Sequence, residues 1–203
     1  MKMPSPPPSK QKTIEIVAGP NGSGKTTFAE MLFRVRTNTP TFVNPDVIAA
    51  GIAPTNPDTA SFAAGRILVN EIQTLLSQGK SLAFESTLSG RAWIPLLRKA
   101  KHEGYKIRIY FIALKNIQLN LQRIKTRVKN GGHNIPTKTV KRRHPRVFKN
   151  FWTQYKELAD EWYLFDNSSN RPKFLLSKAD FTTLPQAEQD KLLKCLMQGA
   201  FKP

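Results

Sequence analysis

The chain has 203 residues, 39% of them apolar, a single cysteine and a formal net charge of +18. That is length enough for one sizeable core, with the composition of a globular protein and not of a disordered or fibrous one. No apolar run reaches the roughly 18 residues that a membrane-crossing helix needs. With only Cys195 there is no intramolecular disulfide framework, so the expected compartment is the reducing cytoplasm.

Residues 1–12, "MKMPSPPPSKQK", are polar and proline-rich without the apolar stretch of a classical secretory signal, and read as an extended, disordered tail. A single domain is expected over 13–203. "TIEIVAG" (13–19) reads as a strand ending in glycine, and 24–36 as a helix. "TFVNPD" (41–46) is a second strand stopped by Pro45, followed by a helix over 59–79 that ends at Gly79. "SLAFES" is the third strand, and the helix after it ends at Gly104. "YKIRIYFIAL" (105–114) is the fourth strand, and 116–130 a helix stopped by a glycine pair. "TKTVKRRHPRVFKNFWTQYKELADE" is mostly helical, with Pro145 bending or dividing it. "WYLFDNS" (162–168) is a fifth strand, "KFLLSKA" a sixth at the edge, and 184–199 a closing helix. This alternation predicts an α/β fold: a doubly wound, mostly parallel sheet of five or six strands with helices on both faces. Ligands of such sheets bind beyond the carboxyl ends of the strands.

The charge is concentrated. Arg98 to Lys149 holds sixteen Lys and Arg against one acid, Glu103, so this segment is expected to face an anionic partner. A nucleotide substrate, a nucleic acid or an anionic membrane surface would each suit it.

Gly19, Pro20, Asn21, Gly22, Ser23, Gly24, Lys25 and Thr26 spell "GPNGSGKT", a match to G-x-x-x-x-G-K-[ST] between a strand and a helix. Its glycines let the backbone wrap an anion, and the helix N-terminus adds a favourable dipole. The motif predicts a P-loop that binds ATP or GTP, with Lys25 on the β- and γ-phosphates and Thr26 on Mg²⁺. Thr27 packs or caps beside them.

Two strand ends face the same side. Asp46 is placed to take a proton from an acceptor hydroxyl; Asn44, Pro45 and Asp46 also spell a helix start, and the two readings are compatible. Glu85 ends the third strand and would orient Mg²⁺ and its waters or grip a hydroxyl. Thr87 and Ser89 follow as helix caps or substrate contacts, and Arg91 as a surface charge or an anion contact. Asp166 and Asn167, after the fifth strand, would contact base or ribose, or form a turn.

The ordered set "GPNGSGKTT", "FVNPD", "FESTLSGR", "RIKTRVKNGGHNIP…KRRHPR" and "WYLFDNSS" resembles the zeta-toxin family of P-loop kinases over roughly residues 13–170. The resemblance implies ATP and Mg²⁺ as cofactors, and transfer to the 3′-hydroxyl of the sugar in UDP-N-acetylglucosamine. It implies Asp46 as catalytic base, with Lys25 and Arg127 on the phosphates and Glu85, Thr87 and Arg91 holding the acceptor. It also implies an antitoxin protein as partner. The family's second lid arginine falls on His133, with Arg142, Arg143 or Arg146 close by to replace it. A basic lid over about 127–149, hinged at Gly131 and Gly132, is expected to close over the transfer.

The expected function is therefore an ATP-dependent kinase acting on a hydroxyl of a small anionic, nucleotide-linked metabolite. Two alternatives stay open: a kinase directed at polynucleotide or RNA, and a toxin-like nucleotide-binding module controlled by an antitoxin. No RNA-binding motif and no aromatic series in the basic segment favour the nucleic-acid reading.

Overall fold

The structure is a computed structural model and describes residues 11–36, 40–54, 57–132, 134–169 and 171–197. The tail expected over 1–12 lies, apart from its last two residues, outside them.

The strands are β1 (Thr13–Ala18), β2 (Thr41–Val43), β3 (Leu82–Ser86), β4 (Lys106–Ala113), β5 (Glu161–Asp166) and β6 (Lys173–Ser177). They form one sheet in the order β2-β3-β1-β4-β5-β6. The first five pair in parallel, and β6 closes the edge antiparallel to β5. The helices are α1 (Lys25–Arg34), α2 (Pro45–Ile52), α3 (Ser61–Ser77), α4 (Trp93–His102), α5 (Ile117–Lys129), α6 (Thr137–Asn150), α7 (Lys156–Leu158), α8 (Lys178–Thr183) and α9 (Gln186–Met197).

Both faces of the sheet are covered, which is why β1 and β4 read as near-continuous apolar runs. On one face Leu68 and Ile72 of α3, Leu97 of α4 and Val147 and Phe148 of α6 pack on Ile14, Ile16, Phe84, Ile109 and Phe111. On the other, Phe28, Leu32 and Phe33 of α1 pack on Val17, Ala83, Tyr110 and Ile112.

Glu15 interrupts β1 on the α1 side and is only 4% exposed. A buried carboxylate is costly unless paired and hydrogen-bonded. Here Arg36, just past α1, donates to both its oxygens at 2.9 and 2.8 Å, and the Tyr110 hydroxyl donates at 3.0 Å. Arg108 lies 3.5 Å away and also donates to Glu161 at 2.7 Å. This network ties the far end of α1 to the sheet and so fixes the helix whose first turn carries the P-loop lysine.

Three local expectations change. β2 is three residues long, not six, because Asn44 caps a helix: its side chain accepts from the Asp46 N–H at 2.8 Å, with Pro45 at the first helical position. Asp46 therefore stands on the first turn of α2, not on the strand. Pro145 does not divide its helix, since α6 runs through it to Asn150. The proline is on the exposed side, where solvent can satisfy the carbonyl it leaves without a partner. Continuity breaks later, at a π-helical turn, Phe151–Tyr155. α2 begins at the helix start that Asn44, Pro45 and Asp46 spelled, though its extent was not expected, and α8 was not expected as a separate helix.

Candidate functional site

Glycine is required in the P-loop for two reasons. Gly22 and Gly24 have φ of +77° and +87°, and a β-carbon at either would meet a neighbour at 2.6 Å: the Asn120 carbonyl oxygen for Gly22, Asn167 Nδ2 for Gly24. Those neighbours also hold the loop. Asn120 Nδ2 donates to the Asn21 carbonyl and Asn167 Nδ2 to the Ser23 carbonyl, both at 2.8 Å. With its carbonyls drawn outward to α5 and to the loop after β5, the turn keeps the shape that aims backbone N–H groups at an anion. Lys25 Nζ donates to the Pro20 carbonyl at 3.2 Å.

The second component is a buried carboxylate. Glu85, at the end of β3 and 7% exposed, pairs in register with Val17 of β1. It accepts from Thr26 Oγ1 at 3.2 Å and from Asn44 Nδ2 at 3.0 Å. Burial pushes its pKa above the ordinary carboxylate value, opposed by the Lys25 charge and the Thr26 bond, while Asp46 adds to the rise. Burial also pulls Lys25 below the ordinary lysine value, opposed by Glu85 and Asp46 and reinforced by Arg127. Four charges thus share one polar pocket at the strand ends.

The third component is the loop after β3. The Thr87 and Ser89 hydroxyls are 2.9 Å apart, and Leu88 between them is buried with φ of +52°. A non-glycine residue in that region is strained and persists only where its surroundings over-determine it. Three groups do so. Trp93 Nε1 donates to Ser86 Oγ at 3.1 Å, Asn150 Nδ2 to the Leu88 carbonyl at 3.0 Å, and the Tyr155 hydroxyl to the Gly90 carbonyl at 2.7 Å.

These parts surround a cleft of about 880 Å³. Of the residues singled out by sequence, Asn21, Gly22, Gly24, Lys25, Thr26, Thr27, Asp46, Glu85, Thr87, Arg127 and Asn167 line it. Gly19, Pro20 and Ser23 are buried, a β-carbon at Gly19 running into the Ile112 carbonyl. Arg91 is not in the lining; it is exposed just ahead of α4. Asp166 folds onto its own turn, accepting from the Ser168 N–H at 2.8 Å and hydroxyl at 2.5 Å. Arg142 and Arg143 lie on α6 outside the lining, and His133 lies outside the described residues.

Sequence reasoning missed Asn44 as a partner of Glu85, and also Arg123 and Arg171, which flank Asn167 in the cleft wall. Arg123 had a usable signal: it precedes Arg127 by four residues on one helix and so shares its face. The Arg171 position depends on the β5–β6 connection and has no such signal.

A family model described as Zeta toxin matches residues 2–169. A protein of Haemophilus influenzae without an assigned function is 36% identical over 137 residues, 66% of this chain and 94% of its own. Among solved structures, one of the PezAT chromosomal toxin–antitoxin system of Streptococcus pneumoniae superposes with a TM-score of 0.67 at 15% identity, covering 96% of this chain and 81% of the other. A chain of the AvrRxo1-ORF1:-ORF2 structure with ATP gives 0.72 at 16% identity, over 95% of this chain and 65% of the other. A parallel sheet with a P-loop at one strand end and carboxylates at its neighbours is the frame of a P-loop kinase, and this chain is an ATP-dependent kinase of that class. It belongs to the zeta toxin family. Among the described residues no helix is long and apolar enough to cross a membrane.

Proposed function

We propose that this kinase transfers the γ-phosphoryl group of ATP to a hydroxyl of a nucleotide-linked, anionic metabolite in the cytoplasm, UDP-N-acetylglucosamine first among candidates. The observation that carries the reading is the Glu85 carboxylate, which joins Thr26 of the P-loop to Asn44, the cap of the helix bearing Asp46. Nucleotide and acceptor sides meet at one buried group.

The P-loop amides, Lys25 and Arg127 would hold the triphosphate, and Asn167 with Arg123 its nucleoside end. The residues fit such a ligand: Gly22 and Gly24 leave no room for side chains, and the half-buried Lys25 is close enough to Glu85 and Asp46 to feel both charges. Thr26, backed by Glu85, would hold Mg²⁺, which when bound neutralises charge on the β- and γ-phosphate oxygens. Asp46 takes the proton of the acceptor hydroxyl. The freed oxygen bonds to the γ-phosphorus as the bond to the β–γ bridging oxygen breaks, and ADP leaves. Thr87 positions the acceptor. Over 13–203 we read one domain, with 127–149 as the lid that excludes water and brings guanidiniums to the transferring group. The likeness to the PezAT toxin–antitoxin system supports an antitoxin as a partner of this chain too.

The test is a screen of γ-labelled ATP against UDP-sugars, nucleosides and oligonucleotides. Label should pass to a UDP-sugar, and Asp46→Asn should abolish transfer while ATP still binds with nearly unchanged affinity. Full activity in that variant would remove Asp46 as the base, and label on oligonucleotides alone would replace the acceptor class.

A further inference from the structure

The segment from Ile117 to Asn150 holds ten Lys and Arg and not one Asp or Glu. The kinase reading uses few of these charges. On α6 the inner face is Val140, His144, Val147 and Phe148, all buried. Lys138, Lys141, Arg142, Arg146 and Lys149 are exposed, and their spacing sets them along the opposite face. From first to last they span about 16 Å at 1.5 Å rise per residue. Among the described residues none of the five forms an ion pair. The charge continues onto α5: Lys125 and Lys129 line a hollow of about 240 Å³ with Thr137, at the start of α6. That hollow shares Ile124 and Ile135 with the kinase cleft, so the basic track begins at the cleft rim.

The outer face of α6 also lacks something. Its only apolar residue is Pro145; among the described residues the large exposed apolar side chains lie on α1 and just past it, on α2, on α3 and on α5, where Val128 is the one that borders the hollow. A protein partner is anchored by buried aromatic and aliphatic groups, and a helix lying on a membrane inserts an apolar face. This face offers neither. A phosphate backbone needs only spaced cations.

We propose that the track from the α5–α6 hollow along the outer face of α6 docks the phosphate backbone of a nucleic acid. The face carries no aromatic residue, so no base stacks on it and docking is independent of sequence. The track lies on the outer side of the segment read above as the lid, outside the cleft lining, and the proposal does not depend on which acceptor the cleft takes.

The test uses the full chain with labelled oligo-dT and a mixed-sequence DNA duplex, followed by fluorescence anisotropy across a salt series. Five phosphate contacts give a log–log salt slope of about −3.5 for the single strand. Replacing Lys138, Lys141 and Lys149 together by alanine should flatten the slope by about 2 and weaken binding about a hundredfold at 0.1 M salt. The same replacement of the exposed Lys80, Lys173 and Lys194 should leave the slope as in the parent, with melting curves confirming that both variants fold. Absence of binding at low salt, an equal loss in both triple variants, or capture by anionic vesicles with none by either nucleic acid would overturn the proposal.

Discussion

The side chain of Asn44 performs two separable jobs, and a pair of substitutions can part them. Its oxygen caps α2, accepting from the Asp46 N–H at 2.8 Å, and its Nδ2 donates to Glu85 at 3.0 Å. Asn44→Ala loses both. The cap is worth about 1 kcal/mol and a buried carboxylate oxygen left without its donor about 1–3, so the cost is about 2–4 kcal/mol. At about 2–4 °C per kcal/mol for a chain of this size, the melting temperature should fall by roughly 5–15 °C. Asn44→Asp keeps the capping oxygen but sets a second carboxylate against Glu85.

Glu85 already sits above its ordinary pKa because it is buried, and a second carboxylate raises it further. A group whose pKa is higher folded than unfolded contributes stability that is complete below the unfolded value, here 4.5, and lost as pH rises through the folded value. The deficit of Asn44→Asp should therefore be small in acid and grow steeply towards neutrality, more steeply than that of Asn44→Ala, which takes a donor from the same carboxylate but adds no charge. Thermal denaturation of the three proteins across this range reads the difference directly. A deficit in Asn44→Asp that does not change with pH would refute the shared carboxylate at the centre of the site.

Two further outcomes follow from local geometry. Gly22→Ala must hold a side chain at φ of +77°, at a cost of about 1–2 kcal/mol, and push against the Asn120 carbonyl. It should lower the melting temperature and abolish the stabilisation given by added ATP. Gly51→Ala, inside α2 with nothing within 4 Å, should instead stabilise by about 0.5–1 kcal/mol. Equal behaviour of these two variants would contradict the account of the P-loop. Asn150→Ala removes the donor to the Leu88 carbonyl and should speed amide exchange over residues 86–90 while leaving the P-loop unchanged. Unaltered exchange there would mean that the strained turn is held by other groups.

The elements that position the site were legible because they rest on local patterns. Apolar runs marked the strands, 3.6-residue spacing the helices, and glycines their ends. The P-loop, Asp46 and Glu85 could be placed together because strand ends of a parallel sheet share one side. What stayed hidden were contacts between side chains far apart in sequence. Asn120 and Asn167 reach the P-loop from 99 and 144 residues away, and an amide carries no periodic signal for such a tie. Glu15 was legible as an odd residue in an apolar strand, yet its satisfaction by Arg36, Tyr110 and Arg108 needs the packed sheet. Arg91, near the loop after β3 in sequence, stands exposed just ahead of α4 and outside the cleft lining.

The π-helical turn accounts for how that loop is held. In an α-helix, residues five apart point about 140° away from one another, so Asn150 and Tyr155 could not both reach one short loop. Between them lies Phe151–Tyr155, where the wider i to i+5 winding brings such residues towards the same face. Their hydrogen bonds accordingly land on Leu88 and Gly90, two residues apart. Burial pushes the Tyr155 pKa up to about 12, so its hydroxyl stays a donor across the working range. The acceptor loop is thus braced from the end of the basic helix and not from the P-loop. The two halves of the cleft then rest on different supports: α1 and the Glu15 network fix the P-loop side, and α6 with its π turn fixes the loop after β3 that we propose positions the acceptor.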